Sequence, residues 1–413
     1  MRLLILGSGG VGSAAALIAA RRPIFDEVVL ADYDLARAEA AAAATSDHRF
    51  SARQVDASDQ AAIQELMADV AADAVLGATD PRFTMPIFQA ALSQRIHYLD
   101  MAASLSVPHA ERPYEQTGVK LGDAQFALAE QWAQSGHLAI VGMGVEPGLS
   151  DVFVRHAADE LFSEIDEAGV RDGANLVVDG YDFAPSFSIW TTIEECLNPP
   201  VIYEKERGWY TTEPFSGAEI FDFPEGIGPV ECVNVEHEEV LLIPRSIDVK
   251  RADFKYGLGQ EFIDVLQTLH KLKLDSTEPV SVAATLADGT RATVCVAPRD
   301  LVAATLPNPA ELGPRMSGKT CAGVWVRGTG KDGSPRSTYL YHVVDNEWSM
   351  REYGAQAVVW QTAVNPVVAL ELIATGEWSG AGVVGPEALP ARPFLDLLAG
   401  DYQSPWGVKE LPV

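Results

Sequence analysis

The chain has 413 residues, 47% of them hydrophobic and 21% charged, which suits two ordinary domains around a large buried core. Thirty Lys and Arg against 58 Asp and Glu leave a formal charge of −28, and such a surface repels phosphodiester backbones. Lys250, Arg251 and Lys255 form too small a basic patch to reverse that, so no nucleic-acid partner is expected. No run of 18 apolar residues goes uninterrupted, so no membrane span is expected either. The four cysteines lie far apart without C-x-x-C spacing, as expected of reduced structural thiols in a cytoplasmic protein without zinc or another metal.

Arg2 followed by the apolar run 3–6 could open a signal peptide, but the run breaks at Gly7-Ser8-Gly9-Gly10. A dinucleotide site explains the break better. Residues 3–6 have buried-strand length, Gly7-Ser8-Gly9-Gly10-Val11-Gly12 satisfies G-x-G-x-x-G, and an Ala-rich helix is expected over 13–21. Gly7 permits the tight turn, Gly9 lets backbone approach a pyrophosphate, and Gly12 lets helix and strand pack closely; the helix N-terminus offers free N–H groups to phosphate. A second strand, 28–31, ends at Asp32, twenty positions after Gly12, where a carboxylate accepts from the adenine ribose hydroxyls. Tyr33 and Asp34 follow, with no cation before Arg37, so NAD is favoured over NADP.

Strand and helix then alternate. A third strand, 50–55, leads to Asp56 and Ala57; Asp56 is a candidate acceptor for the adenine amino group, or else the cap of a helix over 59–70. A fourth strand, 74–77, leads to Ala78, Thr79 and Asp80, placed beside the nicotinamide half. A helix over 84–93, the segment His97-Tyr98-Leu99-Asp100 with Met101 after it, a helix over 122–135 and a strand over 138–143 complete the series. The expected fold is α/β: an N-terminal Rossmann domain with a doubly wound parallel sheet over 1–148, its ligand edge carrying Thr79, Asp100 and Gly144. A mixed α+β substrate and dimerisation domain is expected over 149–354, with strands at 175–179 and 240–243 and a helix over 259–272. A helical segment, 355–413, follows.

Gly7-x-Gly9-Gly10-Val11-Gly12, His97-Tyr98-Leu99-Asp100 and Gly144-Val145-Glu146-Pro147-Gly148, in that order, resemble the saccharopine dehydrogenase family. The likeness extends through 215–229, 235–239, Leu306-Pro307-Asn308-Pro309 and 318–333, the last two being particularly similar to its carboxynorspermidine branch. One departure is Thr362-Ala363-Val364-Asn365-Pro366, where members often carry Thr-Gly-x-Pro. The resemblance implies oxidation of a C–N bond in an amino-acid or polyamine-like substrate, or the reverse reductive condensation, with hydride passing through an imine. It also implies that 355–413 packs back on the first domain, and a homodimer is expected through the second. Lysine 6-dehydrogenase and carboxynorspermidine dehydrogenase activities stand as alternatives, beside a synthase retaining NAD and a non-catalytic, redox-reporting NAD-binding protein.

Imine chemistry needs a group that moves a proton near working pH. His237, flanked by Glu236, Glu238 and Glu239, is the first candidate, because acidic neighbours raise its pKa. Glu146 and Asp100 are the others. For the substrate, Arg245, read as following a strand, is the candidate carboxylate clamp. Glu236 is an acid for an ammonium group, and Trp190 an aromatic cover for a cation. No Tyr stands four residues before a Lys, so the short-chain dehydrogenase pair is missing, as is a zinc Cys/His cluster.

Overall fold

The computed structural model describes residues 1–413. Its first half alternates β1 (Arg2–Leu6), α1 (Gly10–Ala20), β2 (Glu27–Asp32), α2 (Leu35–Ala44), β3 (Phe50–Gln54), α3 (Gln60–Asp69), β4 (Ala74–Gly77), α4 (Thr84–Gln94) and β5 (His97–Asp100). Two short helices, α5 (Asp123–Phe126) and α6 (Ala129–Ser135), then β6 (Leu138–Ile140) and α7 (Leu149–His156) complete it. The strands pair in parallel in the order β6-β5-β4-β1-β2-β3, so the order in which strands are added reverses beside β1 and opens a crevice at the strands' carboxyl ends. Helices cover both faces, which is why Leu3, Leu4, Ile5 and Leu6 are all buried and the strand reads as continuous apolar sequence.

The second half begins with the long central strand β7 (Phe162–Ala174), then β8 (Val177–Val178), α8 (Ile189–Leu197), β9 (Val201–Glu204), β10 (Gly208–Thr211), β11 (Glu219–Phe223) and β12 (Gly228–Asn234). It continues with α9 (Glu239–Ser246), β13 (Val249–Tyr256), α10 (Gln260–Lys271), the hairpin β14 (Val280–Thr285) and β15 (Arg291–Val296), and α11 (Pro298–Thr305). Then come β16 (Met316–Ser317), β17 (Lys319–Gly330), β18 (Pro335–Asp345), α12 (Asn346–Tyr353), α13 (Ala357–Thr375), β19 (Gly382–Val384), α14 (Ala391–Ala399) and β20 (Gly407–Glu410). The large mixed sheet runs β10-β9-β13-β7-β17-β18-β20. The end of the chain serves both sheets, since β19 pairs with β6 and β20 with β18. A continuous apolar core runs from Leu3 through α13 to Val324, so the two sheets share one interior. Helix α13 is long and apolar enough to cross a bilayer, but it is buried here against α1 and the second sheet.

Three expected elements differ. Residues 240–243 lie in helix α9, not a strand: four apolar residues cannot be told apart by periodicity when both faces are covered. Pro244 inside that helix leaves the carbonyl of Val240 without its i+4 donor, and the Trp209 indole donates to it instead at 2.8 Å. Of 175–179 only Val177–Val178 pairs, with Met316–Ser317. The helix expected over 122–135 breaks at Leu128 (φ −99, ψ 9), next to Gln125, whose amide is drawn inward to Ser104 and Asp100.

Candidate active site

The turn from β1 into α1 is shaped by its glycines. At Gly7 (φ +98) a Cβ would stand 2.3 Å from the Ala78 carbonyl oxygen, and at Gly12 it would stand 1.9 Å from that of Gly7. Gly9 faces open space, with nothing within 4 Å of where its Cβ would be, and no acidic side chain occupies the first turn of α1. The cradle is therefore clear where a pyrophosphate would meet the helix N-terminus. Ser8 N–H donates to Asp32 at 2.8 Å, tying the loop to the end of β2, while Ser8 Oγ is buried without a partner. These features fit a dinucleotide.

Gly7, Gly9, Asp32, Tyr33, Asp56, Ala57, Ala78 and Thr79 line one groove, on the side where adenosine would lie. Gly9, Gly10, Val11, Ala78, Thr79 and Met101 line the adjoining cavity, where nicotinamide would reach, and Ser8 and Gly12 back the loop. Asp56 turns its carboxylate on Ser58 N–H (2.8 Å) and Oγ (2.7 Å); the cap of α3 is Asp59. Arg37 also enters the groove, its Nη1 3.8 Å from Asp32 Oδ1.

The cavity, about 250 Å³, lies between the carboxyl edge of the first sheet and the large sheet of the second. Its ionisable walls are Asp80, Glu146, Asp172, Glu195, His237 and Tyr256, with no Lys or Arg among the lining residues. Side chains alternate along β7, so Asp172 faces the cavity while Arg171 turns away to Asp253 (2.7 Å) and Glu219 (2.5 Å). Burial raises the Glu146 carboxyl well above its usual range, the charge of Asp172 adds to that, and the pair shares a hydrogen bond. Burial lifts Asp172 to about 6 and Glu195 to about 8.

His237 precedes α9. Its Nδ1 meets Glu239 Oε2 at 2.5 Å and its ring lies against Phe254, while Nε2 makes no hydrogen bond within the protein. Burial opposes its protonation, but Glu239, Glu195 and Glu238 outweigh that and push its pKa up to about 10. Donor atoms of His237, Glu238 and Glu239 fall within 4.8 Å of one another. At 2.5 Å, however, the His237 nitrogen and the Glu239 oxygen bond each other, the spacing of an ion pair and not of two ligands around a metal.

Glu146 and His237 thus meet in one cavity, joined by Asp172, Glu195 and Tyr256, which sequence reasoning missed. The available signal was a charged pair, Arg171-Asp172, directly after the apolar run Ala168-Gly169-Val170. Four candidates, Asp100, Arg245, Glu236 and Trp190, lie outside the cavity lining. Asp100 is caged by Gly142 N–H (2.6 Å), Tyr98 Oη (2.7 Å) and Gln125 Nε2 (2.7 Å); it joins β5, α5 and the end of β6. Arg245 ends a helix, so it turns onto the Phe126 ring (3.9 Å) and towards Asp123 (3.7 Å). Glu236 faces the opposite way from His237, bonded to Ser106 (2.8 Å) and Asn198 (2.9 Å). Trp190 is already covered by Arg82 (4.4 Å) and Arg299 (4.7 Å), and its indole donates to Asp300.

Comparison with known proteins agrees with this geometry. Residues 3–140 match the saccharopine dehydrogenase NADP binding domain, and 144–402 match the saccharopine dehydrogenase C-terminal domain. The chain is 30% identical to carboxynorspermidine synthase of Vibrio cholerae, covering 100% of this chain and 97% of that one. It is 27% identical to carboxyaminopropylagmatine dehydrogenase of Synechocystis, covering 98% and 96%. Among solved structures, apo saccharopine dehydrogenase (L-Glu forming) of Saccharomyces cerevisiae shares the fold over 100% of both chains, at 13% identity and a TM-score of 0.70. Homospermidine synthase of Legionella pneumophila shares it over 99% of this chain and 91% of that one, at 14% identity and 0.66. The chain belongs to the saccharopine dehydrogenase family of dinucleotide-dependent oxidoreductases acting on C–N bonds.

Proposed function

We propose that the chain reduces an imine joining an amino-acid-derived carbon to a polyamine-like amine, producing a carboxylated polyamine, or catalyses the reverse oxidation. One observation carries the substrate class: the cavity presents Glu146, Asp172 and Glu195 and neither Lys nor Arg, while Asp80 at its edge is held by Arg82 at 2.8 Å. A carboxylate-rich substrate such as saccharopine finds no Lys or Arg clamp there, whereas the ammonium groups of a polyamine find acid oxygens to donate to. The names of the Vibrio and Synechocystis relatives point to the same class. Asn308, whose amide gives only one N–H to Glu311, supplies a neutral donor for a single carboxylate.

The dinucleotide supplies hydride at the imine carbon. The open turn at Gly9 and the N-terminus of α1 hold its pyrophosphate, and Asp32 receives the adenine ribose. His237, proton-bearing and free at Nε2, serves as the acid at nitrogen and at departing water. The Glu146–Asp172 pair holds the attacking amine. NAD is the preferred form because Asp32 opposes a 2′-phosphate, and Arg37 in the same groove is the observation favouring NADP.

The test follows reduced-nicotinamide absorbance with carboxynorspermidine, saccharopine and lysine, each offered with NAD and with NADP. Turnover with the polyamine alone is expected, with higher kcat/KM for NAD. Turnover with saccharopine but not the polyamine would overturn the reading. Arg37→Ala should selectively weaken whatever NADP activity is present.

A further inference from the structure

Strands β14 and β15 stand apart from both large sheets. They pair only with each other, in register from Val280 opposite Val296 to Thr285 opposite Arg291. The turn between them is firmly specified. Gly289 takes φ +83, Asp288 accepts from Thr290 N–H (2.9 Å) and Oγ1 (2.7 Å), and Leu286 N–H donates to the Thr290 carbonyl (2.8 Å).

Side chains alternate along each strand, so the hairpin has two faces. One carries Ser281, Ala283 and Thr285 with Arg291, Thr293 and Cys295. The other is wholly apolar: Val280 opposes Val296, Val282 opposes Val294, Ala284 opposes Ala292, and Leu286 follows at the tip. Val280 is 45% exposed, Val282 42% and Leu286 42%, and no side chain of this face joins the packed interior. A two-stranded hairpin is marginal in water until its apolar face is covered. Exposed apolar surface on the order of 300 Å² marks a contact site.

Charge and shape both indicate what covers it. At a net charge of −28, two copies of the chain repel over most approaches. Between Glu278 and Asp288 there is no charged residue, and between Asp288 and Arg299 there is only Arg291. The hairpin is therefore a place where two copies meet without opposing carboxylates. Its profile also fits itself. The pair Ala284 and Ala292 forms a notch between the Val282–Val294 pair and Leu286. A second copy laid over it in the opposite direction seats its valines in that notch and its Leu286 over Val280, large side chains on small ones about a twofold axis. A stable dimer buries about 800 Å² on each copy. The exposed Leu272 at the end of α10 and Leu301 on α11 extend the apolar surface beside the hairpin towards that area.

We propose that the apolar face of β14 and β15 is the contact between two copies of this chain, hairpin stacked on hairpin about a twofold axis. None of its residues lines the cavity or the dinucleotide groove, so the contact is tested without turnover.

Sedimentation of the full chain at micromolar concentration should give twice the mass of one copy. Val282→Asp sets a carboxylate in the middle of the contact, and the dimer dissociation constant should rise roughly 100-fold or more. Thr293→Asp adds the same charge to the opposite face of the same hairpin and should leave the dimer intact. Both variants should bind dinucleotide as the wild type does, which shows that they fold. Amide exchange over 280–296 should slow as wild-type concentration rises, and should not respond to concentration in Val282→Asp. A wild type that stays monomeric, a dimer that survives Val282→Asp, or one that Thr293→Asp breaks equally would overturn the assignment. Val294→Asp gives the same comparison should Val282→Asp fold poorly.

Discussion

The ring of His237 lies flat on Phe254, with centroids 3.9 Å apart and planes 7° from parallel. Glu239 holds Nδ1 and Phe254 fixes the plane, so the free Nε2 is held in one place at the cavity wall. His237→Gln should therefore lower kcat roughly 10²- to 10⁴-fold, the usual worth of a positioned proton donor. Phe254→Leu leaves the acid present but loosens it, and about a tenfold loss in kcat is expected with unchanged dinucleotide affinity. Steady-state kinetics and calorimetry with cofactor distinguish the two effects.

The charge of the cavity predicts a KM effect. Asp172→Asn and Glu195→Gln each remove an acid that faces a polycationic substrate. KM for the polyamine should rise about tenfold, equivalent to ~1.4 kcal/mol, with a smaller change in dinucleotide affinity. A saccharopine-type substrate should instead bind Asp172→Asn better than wild type at pH 7, while Glu195→Gln, which replaces a carboxyl lifted to about 8, leaves its binding unchanged.

Stability should fall as pH rises. Asp100 (about 7), Glu195 (about 8) and His237 (about 10) all have folded pKa values above their ordinary ones. For the carboxyls the cause is burial; for His237, burial is outweighed by Glu239. The folded state thus binds more protons than the unfolded state, and the slope of unfolding free energy with pH is negative. For the carboxyls the loss begins above about pH 4 and runs to about 8; for His237 it runs from about 6.5 to about 10. Denaturant midpoints measured from pH 6 to pH 9 should report a loss on the order of 2 kcal/mol or more. Glu195→Gln should flatten the curve.

Trp209→Phe tests the support of α9. The variant keeps an aromatic ring but removes the indole donor to the Val240 carbonyl, which Pro244 has already deprived of its helical partner. Urea unfolding should show destabilisation of about 1–3 kcal/mol, the cost of a buried carbonyl left unpaired. Because α9 begins at Glu239, kcat should fall as well.

Some of this was readable along the chain. The glycine spacing, the apolar strands and Asp32 at its interval from Gly12 are local patterns, each imposed by the backbone within one β-α-β unit, and they sufficed for the first sheet and its dinucleotide groove. Glu146 and His237 were legible as residue types in suggestive surroundings. Local pattern could not show which side chains face the same cavity. Asp172 and Glu195 come from β7 and α8, whose orientation depends on how the large sheet docks on the first. Asp100 reads as catalytic from its place at a strand end, yet Gln125 and Gly142 reach it only in the fold. Residues 240–243 read as a strand, and only the Trp209 indole and the packing on β13 and α7 reveal why a proline-containing helix stands there. Periodicity reports how one element alternates between inside and outside; the meeting of carboxylates from four separate segments is a property of packing, set by contacts between residues distant in sequence.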